Sequence, residues 1–350
     1  MKGGITEARA ERRRLMAAGR PEPPIAEPRE QAGTLEELAG DYLRARAPVL
    51  SPATIYTTEE SFRLRIAPTL GHLEVTALTR EKLEVFVADL AATASSRRIV
   101  EKTVAALRVI LQAAVDWGRI PSNPAMGLRL PPVETHRPRQ VERVIGPEQL
   151  RKLLLNGCLS VGHETLLRAA GEAGLRRGEI IALRWPDVRL EERRIEVRRS
   201  VWHERTPNEH GERKVIEQST KGRMARRVAI SERFAQRLAD WYAVSVVEGR
   251  GDAKGLVWPG RDGGFMAADT PPQILERALR RAGLVDDKGR PLVSFHGLRH
   301  SAGSIMLAAG VPLIVVSRQL GHANPKITAE VYAHLLADAQ LDAAAAAFVY

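Results

Sequence analysis

Cysteine is nearly missing from this 350-residue chain, where Cys158 stands alone. A single thiol excludes a framework of intrachain disulfides and any zinc site built on cysteines, and leaves Cys158 to serve as a small apolar group. Long apolar runs are missing as well. No stretch approaches the roughly 20 apolar residues that cross a bilayer, and the opening MKGGITEARAERRRLMAAGR has charge without the apolar h-region of a secretory signal. There is no P-loop pattern and no carboxylate cluster suited to a pair of metal ions. The expectation is therefore a cytoplasmic protein with no membrane partner, no metal and no cofactor.

Positive charge is what the chain has in excess. Lys and Arg outnumber Asp and Glu by 53 to 42, a formal net charge of +11. Such a surplus suits a polyanion, nucleic acid before anionic membrane, although a generally Arg-rich composition produces the same balance without any ligand. The apolar fraction of 44% is ordinary, and the length is sufficient for two domains with their own cores.

Punctuation along the chain divides it. Residues 1–33 hold one short Arg/Ala helix candidate and then GRPEPPIAEPREQAG, whose prolines read as an extended linker. Thr34 and Glu37 form a capping-box pattern ahead of Leu35, Leu38, Tyr42 and Leu43 at helical spacing. Ser51-Pro52, Thr79 and Ser95 or Ser96 open further helices, the last closed by Gly118. Residues 34–132 therefore predict an all-α domain. Residues 133–145, with ETHRPRQVERVIG, read as a basic connector, and residues 146–350 as a mixed domain. In that domain RRIEVRRSV, KVIEQS and RRVAI alternate like strands of a small antiparallel sheet, with helices before and after. The fold class expected is mainly α with a small antiparallel β-sheet, an α+β domain following an all-α one.

Four stretches of the second domain carry groups that a core does not need. FHGLRHSAGSIM puts His296 and Arg299 at i and i+3, on one helical face, with His300 next to them. Both would repel if charged unless an anion lay between them, and Arg offers a planar fork for phosphate oxygens. AGLRRGEIIALRW puts Arg176 just after a glycine able to end a helix, with Glu179 placed to orient its guanidinium or a neighbouring imidazole. STKGRMARRVAI reads as strand, tight turn and strand with Lys221-Gly222 at the turn, Lys214 and Arg223 being alternatives to Lys221 as a proton donor. LGHANPKITAEVYAH places His322 just past a helix end and Tyr332 on the next helix. Taken singly, each pattern has an ordinary structural explanation: a packing tyrosine, a solvated hairpin lysine, a surface arginine.

In this order the motifs GLRRGE, a hairpin lysine, HGLR, LGH and a tyrosine ten residues later make the chain similar to the tyrosine recombinase (phage integrase) family. The resemblance covers the whole second domain, and the helical segment before it resembles that family's SAM-like core-binding domain. It implies a two-domain DNA clamp in which Arg176, Lys221, His296, Arg299 and His322 surround the scissile phosphate and Tyr332 is the nucleophile. Glu179 and His300 are then supporting residues, His300 being a frequent structural neighbour of the second arginine. The implied partners are double-stranded DNA at recombination sites, further copies in a synaptic tetramer, and accessory DNA-bending or directionality proteins. Residues 1–33 would stand as an abbreviated or remnant arm-binding region, and LDAAAAAFVY as a tail that docks on a neighbour or on its own domain. Two other functions fit the same residues: a catalytically silent DNA-binding protein, and a topoisomerase IB-like enzyme that only relaxes supercoils.

Overall fold

A computed structural model describes residues 33–131, 143–204, 215–219, 226–249, 255–322, 324–326, 328–329 and 332. The helix candidate before residue 33, most of the basic connector, the Lys221 turn and the alanine-rich tail lie outside these residues. The chain divides into two compact units, with the division between Pro138 and Arg139.

The first unit is helical. Helix α1 (Leu35–Arg46) starts at the Thr34 capping box, in which Thr34 Oγ1 accepts from Glu37 N and Glu37 Oε2 from Thr34 N. Helix α2 (Pro52–Ser61) has Ser51 as its cap and continues as a π-helical segment, Phe62–Gly71, that contains Pro68. Phe62 and Ile66, four residues apart, share a buried face, while Leu64 between them lies in solvent. Helices α3 (Arg80–Thr93) and α4 (Arg97–Asp116) follow. Along α4, Val100, Val104, Leu107, Leu111 and Ala114 recur at three and four residues and form the floor of the core. The chain after α4 is strapped back by arginines: Arg108 donates to the carbonyls of Ala125 and Leu128, and Arg80 to those of Met126 and Gly127.

The second unit opens with α5 (Pro147–Lys152), which relaxes into a π turn, Leu153–Gly157, and α6 (Val161–Gly171), capped by Ser160. Then come α7 (Arg177–Ile181), strands β1 (Val188–Arg189), β2 (Arg194–Val197), β3 (Arg199–His203), β4 (Val215–Ser219) and β5 (Arg226–Ala229), and helices α8 (Glu232–Val247), α9 (Thr270–Arg281), α10 (Phe295–Ala308) and α11 (Leu313–Leu320). Helix α6 runs through the core, touching α7, α8, α9 and α10. Its Arg168 is buried, held by Glu164 at 2.8 Å and by Glu172, while Arg237 on α8 also reaches Glu164. That shared carboxylate ties α6 to α8, because a buried cation is tolerated only when paired.

The strands do not form one sheet. RRIEVRRSV splits at Arg198: β1-β2-β5 is one antiparallel sheet, with Ile195 opposite Val228, and β3-β4 is a separate two-stranded ribbon, with Val201 opposite Glu217. The segments on either side of the Lys221 turn therefore belong to different sheets and do not pair as one hairpin. Alternation alone cannot reveal this, since both halves keep a period of two. The ribbon leans on α7 through Gly178, where a Cβ would lie 2.4 Å from Val201 O and 2.5 Å from Ser200 Oγ.

Gly174 is the joint on which the site turns. Its φ of +68° ends α6 in the left-handed region, and a Cβ there would lie 2.4 Å from Cδ2 of the fully buried Leu320. Gly174→Ala meets both obstacles, so it is expected to destabilise the protein by about 2–4 kcal/mol. Denaturant unfolding checks this. A loss within a few tenths of a kcal/mol would show that Leu320 can give way.

Candidate active site

Arg176 sits at the cap of α7 with an extended backbone, because Gly174 has just reversed the chain. Glu179, one turn on, accepts from the backbone N of Arg176 at 2.8 Å and from its Nη1 at 2.9 Å. A second guanidinium reaches the same carboxylate: Arg226 Nη1 and Nη2 donate to Oε1 and Oε2 at 2.7 and 2.6 Å. Burial by itself would raise the Glu179 carboxyl, but the hydrogen bonds and charge of Arg226, with Arg176, hold it at about 2.

Arg299, on the first turns of α10, is only 3% exposed. It donates through Nη1 to the carbonyl of Gly174 and through Nη2 to that of Leu320 at 2.6 Å. Arg176 Nη2 donates to the next carbonyl, Gly321, at 2.7 Å. The two guanidiniums are thus seated on consecutive carbonyls at the end of α11, where the chain's own ladder leaves acceptors free and the helix dipole favours cations. Among the described residues no carboxylate pairs with Arg299. Burial, and then the neighbouring charge of Arg176, push the guanidinium down to about 9. A buried cation hydrogen-bonded by carbonyls, with the Glu179 charge acting on it only at a distance, favours an incoming anion.

Gly321 adopts φ +67° and turns the chain toward His322, whose Nδ1 lies 2.7 Å from Thr328 Oγ1. Burial, followed by the charges of Arg299 and Arg176, lowers this imidazole to about 4, so it is neutral at pH 7. In the tautomer whose Nδ1 accepts from the threonine hydroxyl, the proton resides on Nε2 and the neutral ring can donate from there.

Tyr332 is 2% exposed and packs with Val316 and Leu320. Its hydroxyl lies 3.4 Å from Nδ1 of His300 and lies against Gly303, where a Cβ would be 2.1 Å from the phenolic oxygen. His296 stacks edge-on against His300 with ring centroids 4.7 Å apart and is exposed. The imidazole nearest the phenol is therefore His300, which the sequence had suggested as a structural neighbour, and His296 stands one ring further out. Arg176, Arg299, His322, His300 and Tyr332 are brought into one neighbourhood, with Glu179 beneath them. Lys221, Lys214 and Arg223 lie outside the described residues.

Sequence reasoning missed two residues. Arg226 passed as an ordinary strand position, yet it shares its face with the buried Val228 two residues on, and that alternation directs it inward. Gly303 lay in the small-residue run Ser301-Ala302-Gly303-Ser304, the trace of a groove on α10.

Residues 143–338, more than half of the chain, match the Phage integrase family. The chain belongs to that family. Relatives of this integrase-family chain include a tyrosine recombinase XerC-like protein of Caldanaerobacter subterraneus subsp. tengcongensis, 27% identical over 302 residues that cover 81% of this chain and 75% of the relative. Tyrosine recombinase XerC of Xylella fastidiosa is 28% identical over 265 residues, 75% and 78% of the two chains. Among solved structures, the Tn1549 transposon integrase in complex with circular intermediate DNA superposes with a TM-score of 0.66 at 17% identity, over 86% of this chain and 95% of that one. A lambda integrase dimer bound to a COC′ core site gives 0.58 at 14% identity, over 93% and 85%. At these identities the structures speak for a shared fold, mostly helical with a small antiparallel sheet.

The carboxylate-free seat of Arg299 predicts binding of an oxyanion in the absence of any nucleic acid. Sulfate at ten times its Kd should add about 1.4 kcal/mol to stability, a rise in Tm of roughly 3–5 °C for a domain of this size. A thermal shift at matched ionic strength in chloride checks it. Arg299→Ala should lose the effect, and an equal shift in that variant would place the anion elsewhere.

Proposed function

We propose that this chain is a site-specific DNA recombinase that breaks and rejoins duplex strands through a 3′-phosphotyrosine at Tyr332. The observation that carries the reading is the pair of guanidiniums on adjacent carbonyls, one of them buried without a carboxylate, beside a neutral imidazole and a phenol. That is a seat for a phosphodiester whose non-bridging oxygens gain charge during attack, and fixed donors stabilise such charge without reorganising.

In this mechanism the Tyr332 oxygen attacks phosphorus, the bond to the 5′ oxygen breaks, and the enzyme holds the 3′ phosphate as an ester. Arg176, Arg299 and His322 donate to the non-bridging oxygens. The phenol, whose ordinary pKa is about 10, gives its proton to His296, while His300 holds the hydroxyl before attack. Lys221 protonates the departing 5′ oxygen. The phosphotyrosine retains the energy of the diester, so attack by a 5′-hydroxyl reseals the strand without ATP. A hydroxyl lodged against Gly303 has to leave that groove to meet a phosphate, so the reaction includes a displacement of Tyr332. The DNA-bound relatives support double-stranded DNA as the partner, and the net charge of +11 fits a phosphate surface. Four copies on two duplexes, a cytoplasmic location and accessory DNA-bending proteins complete the proposal.

The decisive test uses duplexes selected for binding from a random-sequence pool and then nicked, so that a cleaved strand diffuses away. The parent should form a covalent adduct on denaturing gels. Tyr332→Phe, which keeps the ring and removes the hydroxyl, should lower adduct formation on the order of 10⁴–10⁶-fold with duplex binding retained. An adduct that persists in the Phe variant would mean that a different residue attacks. No adduct in the parent, with tight binding, would favour a DNA-binding protein without catalysis.

The role of Lys221 has its own signature. Lys221→Ala should slow cleavage by about 10²–10⁴-fold, the usual worth of a general acid, and should recover when the bridging 5′ oxygen is replaced by sulfur, since a thiolate leaves without a proton. Arg176→Ala should not recover. Single-turnover cleavage of the two substrates decides it, with substitutions at Lys214 and Arg223 alongside; rescue at one of those in place of Lys221 moves the acid to that position.

A further inference from the structure

Arg226, at the start of β5, is tied to three parts of the site. Its Nη1 and Nη2 take both oxygens of Glu179 at 2.7 and 2.6 Å, and its Nε donates to the carbonyl of Gln319 at 3.3 Å. Its Cδ, Nε and Cζ lie across Gly321, where a Cβ would be 2.6, 2.7 and 2.8 Å away. Three residues along the strand, the Gln319 amide closes on the backbone of Ala229, accepting from its N at 3.0 Å and donating to its carbonyl at 2.8 Å. Strand β5 and the end of α11 are thereby joined at both Arg226 and Ala229. Glu179 then fastens that joint to the cap of α7.

We propose that Arg226 is a positioning residue for the reaction: it locks β5, the Arg176 cap and the Gly321 turn into one register, and so fixes Arg176 and His322 relative to each other. This rests on the recombinase reading of the same site. The Arg226 side chain is 15% exposed and all three of its guanidinium nitrogens are engaged, Nη1 and Nη2 by Glu179 and Nε by the Gln319 carbonyl. Among the described residues, Nε of Arg176 and of Arg299 bonds to no protein group. Arg226 therefore acts through its neighbours and not on the phosphate. The fork geometry matters as much as the charge. A lysine would keep the charge but lose one of the two parallel bonds and the contact over Gly321.

The lock also controls a carboxylate. Glu179 faces Arg176 from its own helix cap, Arg226 from β5 and Arg299 from α10, and β3 brings the Ser200 hydroxyl alongside at Gly178. His322 stands behind the arginines, under the charges of Arg299, Arg176 and Arg226. With Arg226 in place the carboxyl is held near 2 against an ordinary 4.5, so its contribution to stability is present above 4.5 and is lost only as pH falls toward 2. Without Arg226, burial is the leading influence and raises the carboxyl. Keeping it charged then opposes folding, and protonating it relieves the cost. The stability deficit of Arg226→Ala relative to the parent should therefore be widest above neutral pH and narrow as pH falls. Activity should move the opposite way, because a protonated Glu179 no longer anchors Arg176.

The experiment measures Tm and single-turnover adduct formation from pH 5 to pH 8.5 for the parent, Arg226→Ala, Arg226→Lys and the double variant Arg226→Ala/Glu179→Gln. Arg226→Ala should cleave on the order of 10²-fold more slowly, the usual penalty for a misplaced reacting group, with duplex affinity in gel shifts unchanged. Its pH–rate profile should also fall away at a higher pH on the acid side than the parent's, where His296 as base already imposes a limb, and the double variant should lose that displacement. Arg226→Lys should restore the pH profile but not the full rate. If Arg226→Ala does not fold, Gln319→Ala, which opens the joint at Ala229 and leaves Glu179 paired, should slow cleavage with binding intact. A pH-independent Tm deficit, or a parent-like cleavage rate in Arg226→Ala and Gln319→Ala, would overturn the proposal. A parent that forms no adduct at all sinks the recombinase reading instead, and the Tm comparison still decides whether Arg226 governs Glu179.

Discussion

Two guanidiniums on two consecutive carbonyls hold this site together. Leu320 and Gly321 end α11 with their acceptors pointing outward, and Arg299 and Arg176 occupy them. The placements of Gly174 and His322 follow from that pair. Arg299 also takes the carbonyl of Gly174, which fixes where α6 stops and where Arg176 begins. His322 follows Gly321 directly, so the carbonyls that orient the arginines also aim the imidazole. Helix ends normally dispose of spare carbonyls in water or in a glycine cap; here the glycine cap and the arginines share the task.

The electrostatic balance of the site is unequal by construction. Arg176 and Arg226 divide one carboxylate, and Arg299 hydrogen-bonds to carbonyls, with Glu179 acting on it only through space. The pocket therefore carries surplus positive charge in a place where burial makes it costly, which is why Arg299 and His322 both lie below their ordinary values. An anion seated between these guanidiniums would offset that surplus charge. Tight packing of charge and a weakly protonated imidazole are two faces of one arrangement.

Local signals carried much of this in the sequence. The capping box at Thr34, the glycine stop at Gly174 and the left-handed Gly321 are all decided by nearest neighbours, and they were legible for that reason. The i, i+3 spacing of His296 and Arg299 likewise needed only helix geometry. What could not be read depends on contacts between segments far apart. Which imidazole meets the phenol is set by how α10 lies against Tyr332, 32 residues on. The division of the strands at Arg198 depends on which partner each half finds, and alternation is silent about partners. Arg226 became visible only once β5 was seen beside α11.

The β3-β4 ribbon has a bearing on how such a protein can diverge. Its base is pressed onto α7 at Gly178, within two residues of Arg176, whereas residues 205–214 join its far ends. That connection begins beyond the His203–Val215 pair, two residues along β3 from the contact at Val201. Substitutions at Gly178 or Val201 push directly on that contact. Within a few nanometres of one ribbon, tolerance to change should therefore run from nearly free to nearly forbidden. New DNA-facing or protein-facing loops are most easily grafted at the end away from α7.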